Sequence, residues 1–348
     1  MPLELLIPER RTVELREYEE PPLKPDHVRV RSTFSSTKHG TLLRKYRGDE
    51  DNWQTAFERE HRISRKEPAL PEYPMPVGNM TVGTVTAVGG EVETFAAGDR
   101  VYGHLPVRET HTVPETDLDH APEGMAAEAV VFKNPAAVGV HLVRDGKVRL
   151  GDTVAVFGAG AIGQMTAQLA RVAGAKRVAV SDPIERRRDA AREHGADLVV
   201  DPTETDAAML LKTEFEAGVE AGVDRALETS AAYAGLDDAV RAVAFEGTVA
   251  SCGYYEGDSS ALDLGAEFHR NAVEILSVQP GSSNVMRNHP RWEYESLREE
   301  GFRHLRDGSL SVDGLVDPVV PVEEADAALR RIESRPEESI KLGVEYDE

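Results

Sequence analysis

Cysteine is almost missing from this 348-residue chain, and Cys252 is the only one. An intramolecular disulfide is therefore excluded, and so is any Cys₄ or Cys₂His₂ zinc centre. Lysine is scarce too, with nine residues among the 40 lysines and arginines. Against those stand 62 acidic side chains, for a formal charge of −22. A surface this acidic repels nucleic acid phosphates and anionic lipid headgroups, so neither is an expected partner. The acidic, lysine-poor composition resembles proteins adapted to molar salt, where the Debye length falls to ~3 Å and self-repulsion is screened. A plainly acidic mesophilic protein is the alternative. No stretch approaches the ~18 consecutive apolar residues of a membrane span. The start, Met1-Pro2-Leu3-Glu4, shows no basic region followed by an apolar core, so a cytoplasmic protein is the expectation.

What is present is globular. Apolar residues make up 40% and charged residues 29% of the chain, and its length suits two domains. The first third alternates apolar and polar residues as half-buried strands do, in Val28-Arg29-Val30-Arg31-Ser32 and again from Thr81 to Val88. The segment from Asp49 to Pro76 is polar and then proline-punctuated, and reads as a surface excursion. Near Asn134 the period changes, and short apolar runs begin to alternate with helical stretches. That alternation predicts parallel strands with crossover helices. From about Asn284 the chain is helical and charged, with a short β-like run from Val316 to Val320.

Val154-Ala155-Val156-Phe157 is an apolar run followed at once by Gly158-Ala159-Gly160-Ala161-Ile162-Gly163, where Ile162 opens a predicted helix. A lone G-x-G-x-x-G is weak. Here a strand precedes it, a helix follows, and Asp182 ends the next strand about twenty residues on. Gly158 permits the tight turn, Gly160 lets the backbone approach a pyrophosphate, and Gly163 lets helix and strand pack closely. The helix N-terminus, with Ala161 and Ile162, offers amides and a positive dipole end to phosphates. Asp182 is the candidate reader of the adenosine ribose hydroxyls and favours NAD. Arg187, in the run Arg186-Arg187-Arg188, is the candidate reader of a 2′-phosphate and keeps NADP open. Glu228-Thr229-Ser230 and Cys252-Gly253-Tyr254 follow later strands, which makes Thr229 and Gly253 candidate nicotinamide contacts and Tyr254 a candidate substrate-cleft residue.

Several motifs together resemble the medium-chain dehydrogenase/reductase superfamily, that of the zinc-type alcohol dehydrogenases. G-G-E-V-E-T-F-A-A-G-D-R-V-Y-G (residues 89–103), N-P-A-A-V-G-V-H-L (134–142) and L-G-D-T-V-A-V-F-G-A-G-A-I-G (150–163) carry the resemblance over nearly the whole chain. L-G-A-E-F-H-R-N (264–271) and D-G-S-L-S-V-D-G-L-V (307–316) are similar to a branch with bacteriochlorophyllide hydroxyethyl dehydrogenases and sorbitol-like enzymes. The resemblance implies an α/β fold: a GroES-like β domain (1–133), a doubly wound Rossmann domain (134–280), and a last segment (281–348) completing the first. It also implies a homodimer or homotetramer.

The family's zinc ligands do not carry over. His39 stands where the first ligand cysteine would be, Gly78-Asn79-Met80 matches Gly-His-Glu, and Asn134-Pro135 matches a later ligand. Tetrahedral catalytic zinc needs three protein ligands, so no metal is expected. Protein donors must then handle the developing charge. Thr41 matches the family's proton-relay hydroxyl, and His39 and Lys38 beside it are the candidate acid or cation. Asn79, Asn134 and Lys133 are candidate cleft residues. A cryptic metal site from His39, His104, His111 and Glu109 is a minor alternative.

The expected activity is hydride transfer between NAD(P) and a secondary alcohol, polyol or ketone without catalytic zinc. The alternatives are a zinc-free NADPH-dependent enoyl or quinone reductase, and a dinucleotide-binding protein with no chemistry.

Overall fold

A computed structural model describes residues 1–48, 55–58, 60–68, 72–215, 221–255, 257–278 and 292–347. The polar excursion from Asp49 to Pro76 and the stretch from Gln279 to Trp292 fall partly outside them. The chain divides into two compact units, residues 1–131 with 316–348 and residues 132–315.

The first unit opens with β1 (Leu3–Ile7), β2 (Glu14–Glu17), β3 (His27–Ser36) and α1 (His39–Arg47). A hairpin of β4 (Thr55–Glu58) and β5 (Ile63–Pro68) precedes β6 (Met75–Pro76) and β7 (Met80–Val88). Then come β8 (Arg100–Gly103), β9 (Thr110–Pro114), β10 (Leu118–His120) and α2 (Ala127–Val130).

The second unit begins with α3 (Lys133–Asp145), β11 (Thr153–Phe157), α4 (Ala161–Val172) and β12 (Arg177–Ser181). It continues through α5 (Glu185–Glu193), β13 (Leu198–Val200), α6 (Ala207–Glu214) and β14 (Val223–Glu228). It closes with α7 (Tyr233–Ala242), β15 (Val243–Ser251), α8 (Glu267–Arg270), β16 (Glu274–Ser277) and α9 (Tyr294–Arg306). The return to the first unit adds β17 (Val319–Pro321), α10 (Ala325–Ser334) and β18 (Gly343–Glu345).

In the first unit the main sheet runs β10-β8-β7-β3-β18-β17, with β9 also pairing β3. β3 is long enough to serve two neighbours on one side: Arg31 to His27 pair with β9, and Phe34 to Ser36 with β18. Its residues alternate between core and solvent over Val28 to Thr33, as a strand with one wet face should. Leu5, Ile7, Leu42, Leu329 and Leu342 form one core cluster here, and Val28, Val30, Val85 and Val101 another.

The sheet of the second unit is parallel throughout, in the order β13-β12-β11-β14-β15-β16. This is a doubly wound α/β sheet whose strand order reverses between β11 and β14. β11 is buried along its full length, which explains why T-V-A-V-F shows no alternation. Among the described residues no helix is long and apolar enough to cross a membrane.

The tail differs from expectation. The return to the first unit comes at Val316 and not at residue 281. Helix α9 packs on α3, where a Cβ at Gly301 would lie 2.8 Å from the Ala136 carbonyl carbon. Charge masked this, because the buried residues Leu297, Phe302 and Leu305 are spaced among six charged ones.

Between β11 and α4 the backbone leaves no room. A Cβ on Gly163 would stand 1.8 Å from the Gly158 carbonyl oxygen. Gly163→Ala should therefore lower the thermal midpoint of the full chain, at a cost of about 1–3 kcal/mol or more, since overpacked sites relax poorly. Calorimetry on both proteins tests this, and equal midpoints would mean the turn is built otherwise.

Candidate active site

The end of β11 and the start of α4 make a turn in which Gly158 has φ +93°, a left-handed conformation that only glycine adopts without strain. Its N–H donates to the Ser181 carbonyl at 2.8 Å. Gly160 is the residue preceding α4 and has nothing within 4 Å of where a Cβ would be, so the backbone there faces open space. Ala161 and Ile162 open the helix, whose first amides have no intrahelical partner.

Asp182 is buried, and both carboxylate oxygens are already engaged. Oδ2 accepts the Ala159 N–H at 2.7 Å and Oδ1 the Ile184 N–H at 2.8 Å. Each oxygen keeps a second lone pair, so these bonds add a turn-bracing role without removing acceptor capacity. The Arg187 guanidinium stands 4.0 Å from Oδ2, while Arg188 pairs with Asp201 at 2.8 Å. Buried Gln164 ties the same corner, donating to the carbonyls of Ala159 (3.0 Å) and Arg187 (2.9 Å).

Thr229 also braces the turn. Its hydroxyl donates to the Gly158 carbonyl at 2.8 Å and its N–H to Phe157 at 2.8 Å. One residue earlier lies a group that sequence reading passed over. Glu228, fully buried, accepts the N–H groups of Ser230 (2.6 Å) and Ala231 (3.1 Å), the Ser251 hydroxyl (3.1 Å) and the Tyr255 phenol. It joins the loops after β14 and β15, where Gly253 donates to Ser251 Oγ at 3.2 Å. Tyr254 is half exposed. Desolvation, with the Glu228 charge, pushes the Cys252 thiol up to about 12, which removes it as a nucleophile.

Lys133 and Asn134 open α3 in this unit. The buried Lys133 ammonium pairs with Glu299 at 3.0 Å and lies 5.0 Å from the Phe302 ring centre. The Asn134 Oδ1 is buried with no hydrogen-bond partner among the described residues.

In the first unit the candidate residues cluster where β3 passes into α1. Three contacts with the strand around residue 342 set that junction. Leu342 N–H donates to His39 Nε2 (2.9 Å), Ser36 Oγ donates to the Leu342 carbonyl (2.7 Å), and Lys341 Nζ donates to the Thr37 carbonyl (2.9 Å). His39 is thus a backbone acceptor at Nε2, which is not the arrangement expected of a general acid presented to substrate. Its neighbours Lys38, Thr41, Leu42 and Lys45 fall at i, i+3, i+4 and i+7, one helix face. That face lines a cavity of about 310 Å³, closed opposite by Pro76, Gly78, Asn79, His104, Leu105 and Pro106.

Burial, with a smaller contribution from the Lys45 ammonium, holds Lys38 below the usual lysine range. Asn79 is buried, its carbonyl accepts His104 Nδ1, and its Nδ2 has no hydrogen-bond partner among the described residues. His111 lies buried in β9, and desolvation holds its pKa at about 3. The minor alternative of a metal at His39, His104, His111 and Glu109 is not supported. Among the described residues only Glu58, Glu60 and His61 bring three such ligand atoms together.

One unit with a parallel sheet and a glycine turn at its switch point, and another with a mostly antiparallel sheet and a polar cavity, make up a two-unit fold of dehydrogenase type. Comparison with known proteins agrees. The family model described as alcohol dehydrogenase GroES-like domain matches residues 24–145, and that described as zinc-binding dehydrogenase matches residues 161–290. The D-guloside 3-dehydrogenases of Shigella flexneri and Escherichia coli (strain K12) are each 33% identical over 345 residues, covering 97% of both chains. Sorbitol dehydrogenase of Bacillus subtilis is 25% identical over 304 residues, 78% of this chain and 81% of that one. Among solved structures, 2R,3R-butanediol dehydrogenase from Bacillus subtilis superposes with a TM-score of 0.75 at 19% identity, covering 100% of both chains. The chain belongs to the zinc-type alcohol dehydrogenase superfamily, the medium-chain dehydrogenases/reductases, and is an alcohol dehydrogenase-like oxidoreductase.

Lys341 is fully buried, and desolvation, with the Lys38 charge, brings its pKa down to about 7. A lysine depressed in the native state binds its proton less tightly there than in the unfolded chain. Its penalty is complete below pH about 7 and is relieved as pH rises towards the ordinary value of 10.5. Stability should therefore climb over that window, by on the order of 1 kcal/mol per pH unit from this group. Lys341→Met should flatten the climb in urea unfolding at pH 7, 8 and 9; an unchanged slope would show that Lys341 is not the titrating group.

Proposed function

We propose that the protein oxidises a secondary hydroxyl of a sugar or polyol, and reduces the matching ketone, with NAD(P) and without catalytic zinc. The observation that carries this is the shared cavity of Lys38, Thr41 and Asn79 on one side of the β3–α1 junction. The relatives named as D-guloside 3-dehydrogenase and sorbitol dehydrogenase support a polyhydroxylated substrate.

The glycine turn fits a dinucleotide. Open space at Gly160 beside the first amides of α4 suits a pyrophosphate, and buried Asp182 suits the ribose hydroxyls. Bound nicotinamide supplies the hydride acceptor or donor. Asp182 favours NAD, and Arg187, 4.0 Å from it, is the residue that would admit NADP.

The donor set does not fit tetrahedral zinc. The family's ligand positions hold His39, whose Nε2 accepts a backbone N–H, and the amides Asn79 and Asn134. No step is therefore routed through a metal. Thr41 holds the substrate hydroxyl, the Asn79 Nδ2 donates to its oxygen, and Lys38, once it has given its own proton to solvent, takes the hydroxyl proton as the hydride passes to the nicotinamide. A lysine held low takes up and releases a proton closer to neutral pH than an exposed one does.

A panel of sugars, glycosides and polyols with NAD and NADP, followed by cofactor absorbance, tests the activity. Lys38→Met should lower kcat/KM by roughly 10²-fold or more, and Thr41→Ala by a smaller factor. Dialysis against a chelator should leave turnover intact. Reduction of enones by NADPH with no alcohol oxidised would replace this reading by an enoyl reductase. Tight dinucleotide binding with no turnover would make the protein a non-catalytic binder. As a separate check on the cofactor, Asp182→Ser should raise the KM for NAD several-fold and leave that for NADP unchanged or lower; equal effects on both would remove Asp182 as the ribose reader.

A further inference from the structure

The cavity beside α1 carries an electrostatic feature that an alcohol dehydrogenase does not require. In a chain of net charge −22 its lining among the described residues holds two lysines, Lys38 and Lys45, and no carboxylate. Many cations of this protein sit in ion pairs, such as Arg47 with Glu333 at 2.9 Å and Lys147 with Glu274 at 2.7 Å. Lys38 and Lys45 have no ion-pair partner among the described residues. Two like charges brought onto one helix face with nothing to offset them raise the free energy of the empty site. They are stabilised once a negative group enters. The lining offers further donors: Asn79 Nδ2, buried with no hydrogen-bond partner among the described residues, and the hydroxyl of Thr41, which can also accept.

We propose that this cavity binds the anionic group of the substrate, a carboxylate or a phosphate carried on a sugar or polyol, with Lys45 as its counter-charge. Lys38 and Lys45 are seven residues apart, about 10 Å along the helix axis. The anion therefore sits several carbons from the hydroxyl held at Thr41 and Lys38, as at a terminal carbon of a six-carbon chain. A planar carboxylate and a tetrahedral phosphate are served alike by an ammonium, which is a point charge without fixed fork geometry. Neutral polyols of the same length fill the cavity but leave Lys45 unpaired.

This inference rests on the dehydrogenase reading for its kinetics and not for its binding, so the two are tested apart. Calorimetric titration of the full chain with D-gluconate and with glucose 6-phosphate measures binding, with sorbitol as the neutral control. At least one anion should bind at least tenfold more tightly than sorbitol, Lys45→Met should abolish that difference, and Lys45→Arg should restore it. Which anion binds identifies the group as carboxylate or phosphate. In turnover assays with the anionic alcohols, Lys45→Met should raise KM at least tenfold with kcat within twofold. On neutral alcohols the same substitution should move KM far less than on the anionic ones, and an equal rise on both overturns the anion site. Lys45-dependent anion binding without turnover of any alcohol overturns the dehydrogenase reading and upholds the anion site. Equal affinity for sorbitol and both anions, or anion binding indifferent to Lys45→Met, overturns the anion site whatever the turnover.

Discussion

The backbone junction between β3 and α1 is held by groups about 300 residues away in sequence, and the candidate chemistry of the first unit depends on that hold. The amide of Leu342, the carbonyl of Leu342 and the ammonium of Lys341 each bond to the short segment Ser36–His39. A helix start fixed at three points has a fixed rotation, and rotation decides which face it presents. Turned by one residue, α1 would take Lys38, Thr41 and Lys45 out of the cavity together. The cost is a buried lysine, which burial makes easier to deprotonate than an exposed one.

The second unit uses carboxylates in the same way. Asp182 braces the glycine turn from the end of β12, and Glu228 draws together the loops that follow β14 and β15. Buried acids with several hydrogen-bond donors around them are stabilised in place, and a loop tied to one has few alternatives. In both units the backbone of the candidate site is positioned by a buried ionisable group rather than by apolar packing alone.

How far this was legible in the sequence follows from the range of each interaction. The turn at Gly158 to Gly163 is local, and its flanking strand, its helix and Asp182 could be read together. The i, i+3, i+4, i+7 run of Lys38, Thr41, Leu42 and Lys45 is local too, but Lys45 reads as an ordinary solvated lysine until an opposite wall is seen. Lys341 left a faint mark, a charge between the buried residues Ile340 and Leu342. His39 invited a catalytic reading because its partner is an amide 303 residues on, which no periodicity reports. The same limit hid the role of Glu228, four of whose partners come from the two loops it joins. The attachment of α9 was hidden by charge, since a helix with a narrow apolar stripe looks the same wherever it packs.

One consequence concerns the order in which the molecule is completed during synthesis. Unit two is an unbroken stretch, residues 132–315, and its sheet needs nothing outside itself. The other unit cannot close its main sheet until β18 arrives to lie between β3 and β17. Domains tend to form as units while the chain emerges. The glycine turn can thus form on the ribosome well before the cavity beside α1 is complete, and a chain stalled before residue 342 would carry the former without the latter.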